Sequence, residues 1–317
     1  MNDPVAAATM PGMDLSSAAR PPFTTIGVPI DSVGLGHGEP HGTELSPDAL
    51  RAAGLGRLGW ADAGDLTVRI PDDDRDPATG LVGLAGVLAT TETIRRSVAD
   101  HCRLGDRPFL LGGCCTLVAG ALAGARDALG PVGLVYVDGH LDLYDGVTSP
   151  TGEAADMPVA VVLGKGPAPW VARVAPGPVA RPDQVALLGS RDETELADLA
   201  AELEVERAAG IFDADLAAIR RDSPAAAATA ALAHLGRSTA RTWFHLDLDV
   251  LDERVFPATD YLRPDGLDWA ELIELLRPIA ASAGLVGWSI GCYNPEKDLD
   301  GSSGRAIVDA LERVFAA

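Results

Sequence analysis

Residues 132–142 read Val-Gly-Leu-Val-Tyr-Val-Asp-Gly-His-Leu-Asp. An unbroken apolar run, Val132 to Val137, closes on Asp138, His140 and Asp142. Such a run without alternation suits a strand covered on both faces, as in a parallel sheet between helices. Sheets of that kind bind ligands outside the carboxyl ends of their strands, which is where these polar residues fall. A second run has the same build: Thr242-Trp243-Phe244-His245-Leu246-Asp247-Leu248-Asp249, with Asp252 beyond it. In extended chain, alternation predicts Asp138, His140 and Asp142 on one side of the first strand, and His245, Asp247 and Asp249 on one side of the second. Carboxylates gathered in an apolar sheet repel and desolvate badly unless a cation neutralises them. Mixed carboxylate and imidazole donors suit Mn, Fe, Co, Ni or Zn. Two such runs point to a metal site rather than to ordinary strand-end caps.

Working outward, further apolar runs predict strands at 24–30, 108–112, 184–188 and 285–290. Helical patterns lie between them at 81–103, 117–129, 193–209, 224–235, 269–281 and 305–316. Ser46-Pro47 and Ser223-Pro224 each offer an N-cap serine followed by proline at the first helical position. Strand and helix alternate throughout, which predicts right-handed βαβ units and one α/β domain over 24–317. Residues 1–23, rich in Pro, Ala, Ser and Met, read as a flexible leader, and the acidic 72–76 as a solvated loop.

The chain has 317 residues, 47% of them hydrophobic and 22% charged, which excludes a disordered protein. Asp and Glu number 46 against 25 Lys and Arg, a net charge of -21. Such a surface repels phosphate backbones, so nucleic acid is excluded as a partner, while a cationic small-molecule substrate would be attracted. The four cysteines make no disulfide framework. Apolar stretches are too short and too broken by glycine to span a bilayer, and no signal peptide is visible, so a cytoplasmic location is expected.

With these residues in view, the chain resembles the ureohydrolases (arginase, agmatinase and relatives). Residues 135–142 resemble their D-A-H-x-D motif, and 247–252 their D-x-D-x-x-D motif. Gly112-Gly113-Cys114-Cys115-Thr116 stands where they carry G-G-D-H-S, and 44–55 and 62–66 also resemble family segments. The resemblance implies a three-layer α/β/α sandwich around a mostly parallel sheet, and homo-oligomers, commonly trimers or hexamers. It also implies two divalent ions, usually Mn²⁺, whose bridging hydroxide attacks a guanidinium carbon. Carried over, the metal ligands are Asp138, His140, Asp142, Asp247 and Asp249. The sixth is a histidine in the family, and here it is Cys115.

The departures bear on function. As a thiolate, Cys115 would favour a softer ion, such as Zn or Fe, and Co or Ni is also compatible; its bland alternative is a buried thiol. Ala155 stands where the family's loop carries its catalytic histidine, which leaves Glu153, Asp156 or His245 to move protons. His37 and His41, in the Gly-rich loop after the first strand, are further candidates. Cys292, in Gly291-Cys292-Tyr293-Asn294-Pro295, replaces a glutamate that holds the guanidinium in the family, and a neutral thiol cannot do so. Arg191-Asp192 resembles a substrate loop, yet Thr194 stands where arginases tend to carry Asp. Substrate contacts are expected from Tyr144, Asp145, Asp192, Cys292 and His41. The leading expectation is a metal-dependent hydrolase of linear C–N bonds in an amidine or guanidine derivative other than free arginine. The alternatives are a non-catalytic partner subunit or ligand-binding relative and, third, an amide deacylase.

Overall fold

The computed structural model describes residues 22–32, 42–71, 74–191, 202 and 210–316. His37, His41, Asp192, Thr194, most of the leader and all but Glu202 of the helix expected over 193–209 lie outside the described residues.

Eight strands form one sheet: β1 (Phe23–Gly27), β2 (Ala61–Asp65), β3 (Arg107–Leu111), β4 (Gly133–Val137), β5 (Val185–Leu188), β6 (Phe212–Ala214), β7 (Thr242–Asp247) and β8 (Leu285–Gly291). Their order is β2-β1-β3-β8-β7-β4-β5-β6, and every pairing is parallel. The six strands expected from apolar runs are present within a residue or two, except that the first ends at Gly27 rather than Ile30. β2 and β6 were not expected, for a physical reason. They are the two edges: all five β2 residues, Ala-Asp-Ala-Gly-Asp, are exposed, and β6 is three residues long, so neither carries a buried apolar run.

Side chains alternate between two cores. Leu110, Leu134, Tyr136, Val185, Leu187 and Trp243 face one. Phe109, Leu111, Val135, Val137, Ala186, Leu188, Phe244 and Leu246 face the other. The first core is covered by α2 (Leu84–Leu104), α3 (Leu117–Leu129), α4 (Pro158–Val162) and α5 (Ala168–Val174). The second is covered by α1 (Ser46–Ala52), α6 (Leu216–Asp222), α7 (Pro224–Leu235), α8 (Trp269–Ala281) and α9 (Ser302–Phe315). The result is the expected three-layer sandwich. Ser223 caps α7, its side chain accepting from the Ala226 N–H. Ser46 does not cap α1: it is already helical, because a 3-10 turn at Thr43–Leu45 runs straight into the helix, and its Oγ is buried without a partner. No helix among the described residues is long and apolar enough to cross a membrane.

α2 and α3 pack through glycine. A Cβ on Gly124 would sit 2.3 Å from the Arg95 carbonyl oxygen, and one on Gly120 2.7 Å from that of Thr91. Gly124→Ala would gain roughly 1 kcal/mol of helix propensity in isolation. The backbone clash outweighs it, so we expect a net loss of about 1–3 kcal/mol in a denaturant titration. A raised midpoint would mean that the two helices are not in contact.

Candidate metal centre and cavity

Four strands adjacent in the sheet, β3, β8, β7 and β4, bring their carboxyl ends together. After β3 the chain turns through Gly112 and Gly113, both in the left-handed region (φ 80° and 73°). A side chain on Gly113 would strike Ile30 Cγ1 at 2.6 Å and the Val28 carbonyl oxygen at 2.8 Å, so the turn needs glycine. It delivers two thiols in opposite senses. Cys114 Sγ turns to Ser32 Oγ (2.9 Å) and Thr116 Oγ1 (3.5 Å). Cys115 Sγ lies 2.6 Å from Asp247 Oδ2, 3.7 Å from Cys292 Sγ and 3.8 Å from Asp138 Oδ2.

The aspartates converge through turns rather than by strand alternation, which corrects the reason given for their shared side. β4 ends at Val137, and the chain bends at Gly139 and His140. The His140 N–H donates to Asp138 Oδ1 (2.7 Å), and that of Gly139 to Asp249 Oδ1 (3.2 Å). Asp142 adopts a left-handed φ of 51°, and its carboxylate accepts from the Tyr136 hydroxyl. β7 ends at Asp247 and gives way to a 3-10 turn, in which the Asp249 N–H donates to Asp247 Oδ1 (2.7 Å). His140 Nδ1 lies 3.0 Å from Asp249 Oδ2. Three overlapping donor groups result: Cys115-Asp138-Asp142, Cys115-Asp247-Cys292 and Asp138-His140-Asp249. Within each, the potential ligand atoms lie within 4.8 Å of one another.

The cluster repels itself. Asp138, Asp142, Asp247 and Asp249 are all buried. Burial, and then the charge of Asp249, push Asp138 up to about 7. Burial and neighbouring carboxylates hold Asp142 and Asp247 well above the usual carboxylate range. For Asp249 burial pushes upward most strongly, yet His140 and Arg191 together outweigh it and bring the group below its ordinary value. Burial also raises the Cys115 thiol well above its ordinary value.

A cavity of about 190 Å³ opens on this cluster. Cys115, His140, Asp142, Asp247, Asp249 and Cys292 line its floor. Tyr144, Glu153, Ala155, Asp156, Glu202, Tyr261 and Arg263 are among its walls. Tyr261 Oη donates to Glu153 Oε2 (2.6 Å), and Glu202 accepts from the Leu143 N–H (2.6 Å). Asp156 accepts from Ser149 Oγ (2.6 Å) and Thr151 Oγ1 (3.1 Å) on one oxygen, while Oδ1 is buried without a partner. Burial pushes Asp156 up to about 7.

Two expected residues stand elsewhere. Asp145 does not line the cavity; its Oδ1 accepts from the Val147 and Thr148 N–H groups and shapes the turn that follows. His245 does share a strand face with Asp247, but it lies behind Cys115 rather than on the wall. Its Nε2 is 3.3 Å from Cys115 Sγ and its Nδ1 2.9 Å from Ser289 Oγ. Burial pushes its imidazole down to about 3, so it is neutral. Conversely, Glu202, Tyr261 and Arg263 were not singled out from sequence. Glu202 is one acid in a helical pattern. Tyr261 and Arg263 sit in the long segment after β7, whose only signal is its place beyond a ligand-bearing strand.

A parallel sheet whose central strand ends gather buried carboxylates, an imidazole and thiols around a cavity offers the donors of a metal centre, where the ureohydrolase resemblance implies one. Residues 22–316 match the Arginase family profile. The arginase of Brevibacillus brevis is 27% identical over 299 residues, covering 92% of this chain and 97% of its own. The N(omega)-hydroxy-L-arginine amidinohydrolase of Streptomyces lavendulae is 27% identical over 236 residues, covering 74% and 78%. The solved arginase of Bacillus caldovelox superposes with a TM-score of 0.82 at 26% identity, over 94% of this chain and 99% of that one. The chain belongs to the arginase family, hydrolases of non-peptide C–N bonds, and the resemblance read from its motifs is borne out.

Asp156 makes a prediction for the chelator-stripped chain. Its carboxyl is raised in the folded chain relative to the ordinary value of 3.8. Between about pH 4 and 7 the folded state therefore holds the proton more tightly than the unfolded one. Its contribution to stability is complete below that window and is lost as pH rises through it, by at most about 1.4 kcal/mol per pH unit. Asp156→Asn keeps the shape and removes the titration. Thermal melts should show the variant gaining on the wild type from pH 5 to pH 8. Parallel melting curves would refute a buried carboxyl at this position.

Proposed function

We propose that this protein hydrolyses the amidino C–N bond of a guanidine derivative, N-hydroxylated or N-acylated rather than free arginine. In this reading it uses two divalent ions held by Cys115, Asp138, His140, Asp142, Asp247 and Asp249. The observation that carries the reading is the cavity, which joins buried donor groups on its floor to an acidic wall. The donor set fits divalent ions: the four aspartates are deeply buried and close together, and Asp138, Asp142 and Asp247 hold elevated pKa values that a cation would relieve. Bound there, such ions supply Lewis acidity, lowering the pKa of water and polarising the substrate.

The chain's own residues account for the rest. The wall carries no imidazole at Ala155, so proton transfer falls to Asp156 and Glu153. A carboxyl poised near 7 is suited to protonating a leaving amine at neutral pH. The hydroxyl of Tyr261 fixes the Glu153 carboxylate. Glu153 and Glu202 give the wall the negative character that a cationic guanidine seeks, and Arg263 a place for an acidic or carbonyl substituent. At the position of the family's guanidinium-holding glutamate stands Cys292, which favours a modified substrate over arginine. The relative named N(omega)-hydroxy-L-arginine amidinohydrolase supports the same choice.

Elemental mass spectrometry of the purified chain should find about two ions, Mn or a softer metal. Asp249→Asn and Cys115→Ala should each weaken metal affinity by about 10- to 100-fold or more. Product release should be faster from N-hydroxy- or N-acylguanidines than from arginine, and Asp156→Asn should lower kcat by about 100-fold. In the wild type, activity should fall as pH rises through the point where the acid loses its proton. Arginine as the best substrate would refute the substrate assignment, and a metal-loaded chain inert to all of them would favour a non-catalytic relative.

A further inference from the structure

We propose that Cys292 is a metal ligand, not a substrate contact. It pairs with Cys115 to make the inner pole of the centre a dithiolate site for a thiophilic ion such as Zn²⁺ or Co²⁺. The outer pole, Asp138, His140 and Asp249, keeps harder donors. The proposal rests on the reading above that the cluster binds divalent ions, and adds which ion goes where.

The geometry carries it. The two Sγ atoms are 3.7 Å apart. Two thiolates on one tetrahedral ion, each at about 2.3 Å, stand roughly 3.8 Å from one another. Asp247 completes a third corner, with ligand atoms of all three groups within 4.8 Å. The Cys115 thiol donates to Asp247 Oδ2 (Sγ···Oδ2 2.6 Å), and an ion bound there would take the place of that proton, both thiols releasing theirs to solvent.

One turn positions both sulfurs. β8 ends at Gly291, and Cys292 follows in the left-handed region at φ 61°. Its N–H donates to the Gly113 carbonyl (2.8 Å), in the same turn that presents Cys115. Cys114, next in sequence to Cys115, is an internal control, since its sulfur is engaged by Ser32 and Thr116 on the other side. Behind the pair, His245 Nε2 reaches Cys115 Sγ while Ser289 holds its Nδ1, an outer partner able to orient the ligand and tune the sulfur. A pole with two sulfur donors discriminates against Mn²⁺, which favours oxygen, whereas the outer pole has no sulfur.

The test uses the full chain, stripped by chelator under reducing conditions and titrated with Co²⁺. Bound cobalt should show the near-ultraviolet sulfur-to-cobalt charge-transfer band. Cys292→Ser and Cys115→Ser should each reduce that band by about half, with cobalt still detected by elemental analysis. Cys114→Ser should leave it intact. Wild-type protein loaded with one equivalent of Zn²⁺ per chain, which the sulfur pole should take first, needs no substitution and should count two sulfur neighbours at about 2.3 Å by X-ray absorption. A full band in Cys292→Ser, or one sulfur neighbour, would overturn the role of Cys292 while leaving the metal centre standing. Failure to take up any metal would overturn the centre itself.

Discussion

Four aspartates buried around one spot set the problem that the rest of the site solves. Their mutual repulsion, in a place water barely reaches, costs the folded chain unless positive charge is supplied. His140 and Arg191 answer for Asp249. The others are held by short-range devices: the Tyr136 hydroxyl on Asp142, and backbone N–H groups on Asp138 and Asp247. These anchors fix where each oxygen points but do not neutralise the cluster. A bound cation, as proposed, would do that, and the parallel sheet makes the gathering possible, because it brings the carboxyl ends of four neighbouring strands side by side.

The layers of the sandwich were legible because a doubly covered strand must be apolar throughout. β4, β5, β7 and β8 announce themselves in that way. β2 and β6 are silent because an edge strand is under no such demand. At the site, the residue types and their place at strand ends were legible, while the geometry was not. Asp138 and Asp249 converge through side-chain-to-backbone turns that spacing alone reads as alternation. Glu202, Tyr261 and Arg263 reach the cavity across long sequence separations, and no local pattern encodes that. His245 misleads for a related reason. Its strand parity is right, but Cys115 stands between it and the cavity.

Cys115, Ala155 and Cys292, three of the positions where the chain departs from the pattern its motifs resemble, all line one cavity. They change its chemistry together. On the resemblance read from the motifs, imidazole would be lost from the wall and from the proposed ligand set, a carboxylate would be lost from the proposed substrate contacts, and sulfur would be gained twice. The proposed shift in donor softness and shift in acid–base equipment would both follow from that single set of exchanges.

The placement of β8 has a consequence for how the molecule is made. It lies between β3 and β7, so it joins the β2-β1-β3 part of the sheet to the β7-β4-β5-β6 part. Its partners across β3 include Phe109 with Trp288, a pairing that spans more than half the chain. Closing so large a loop is slow, and until residues 285–291 leave the ribosome both neighbouring strands carry an open edge. Open strand edges of that kind are templates for pairing with other chains until β8 fills the gap. Cys292 joins Cys115 and Asp247 only when that last strand is seated, whereas Asp138, His140 and Asp249 depend on the β4–β7 pair alone.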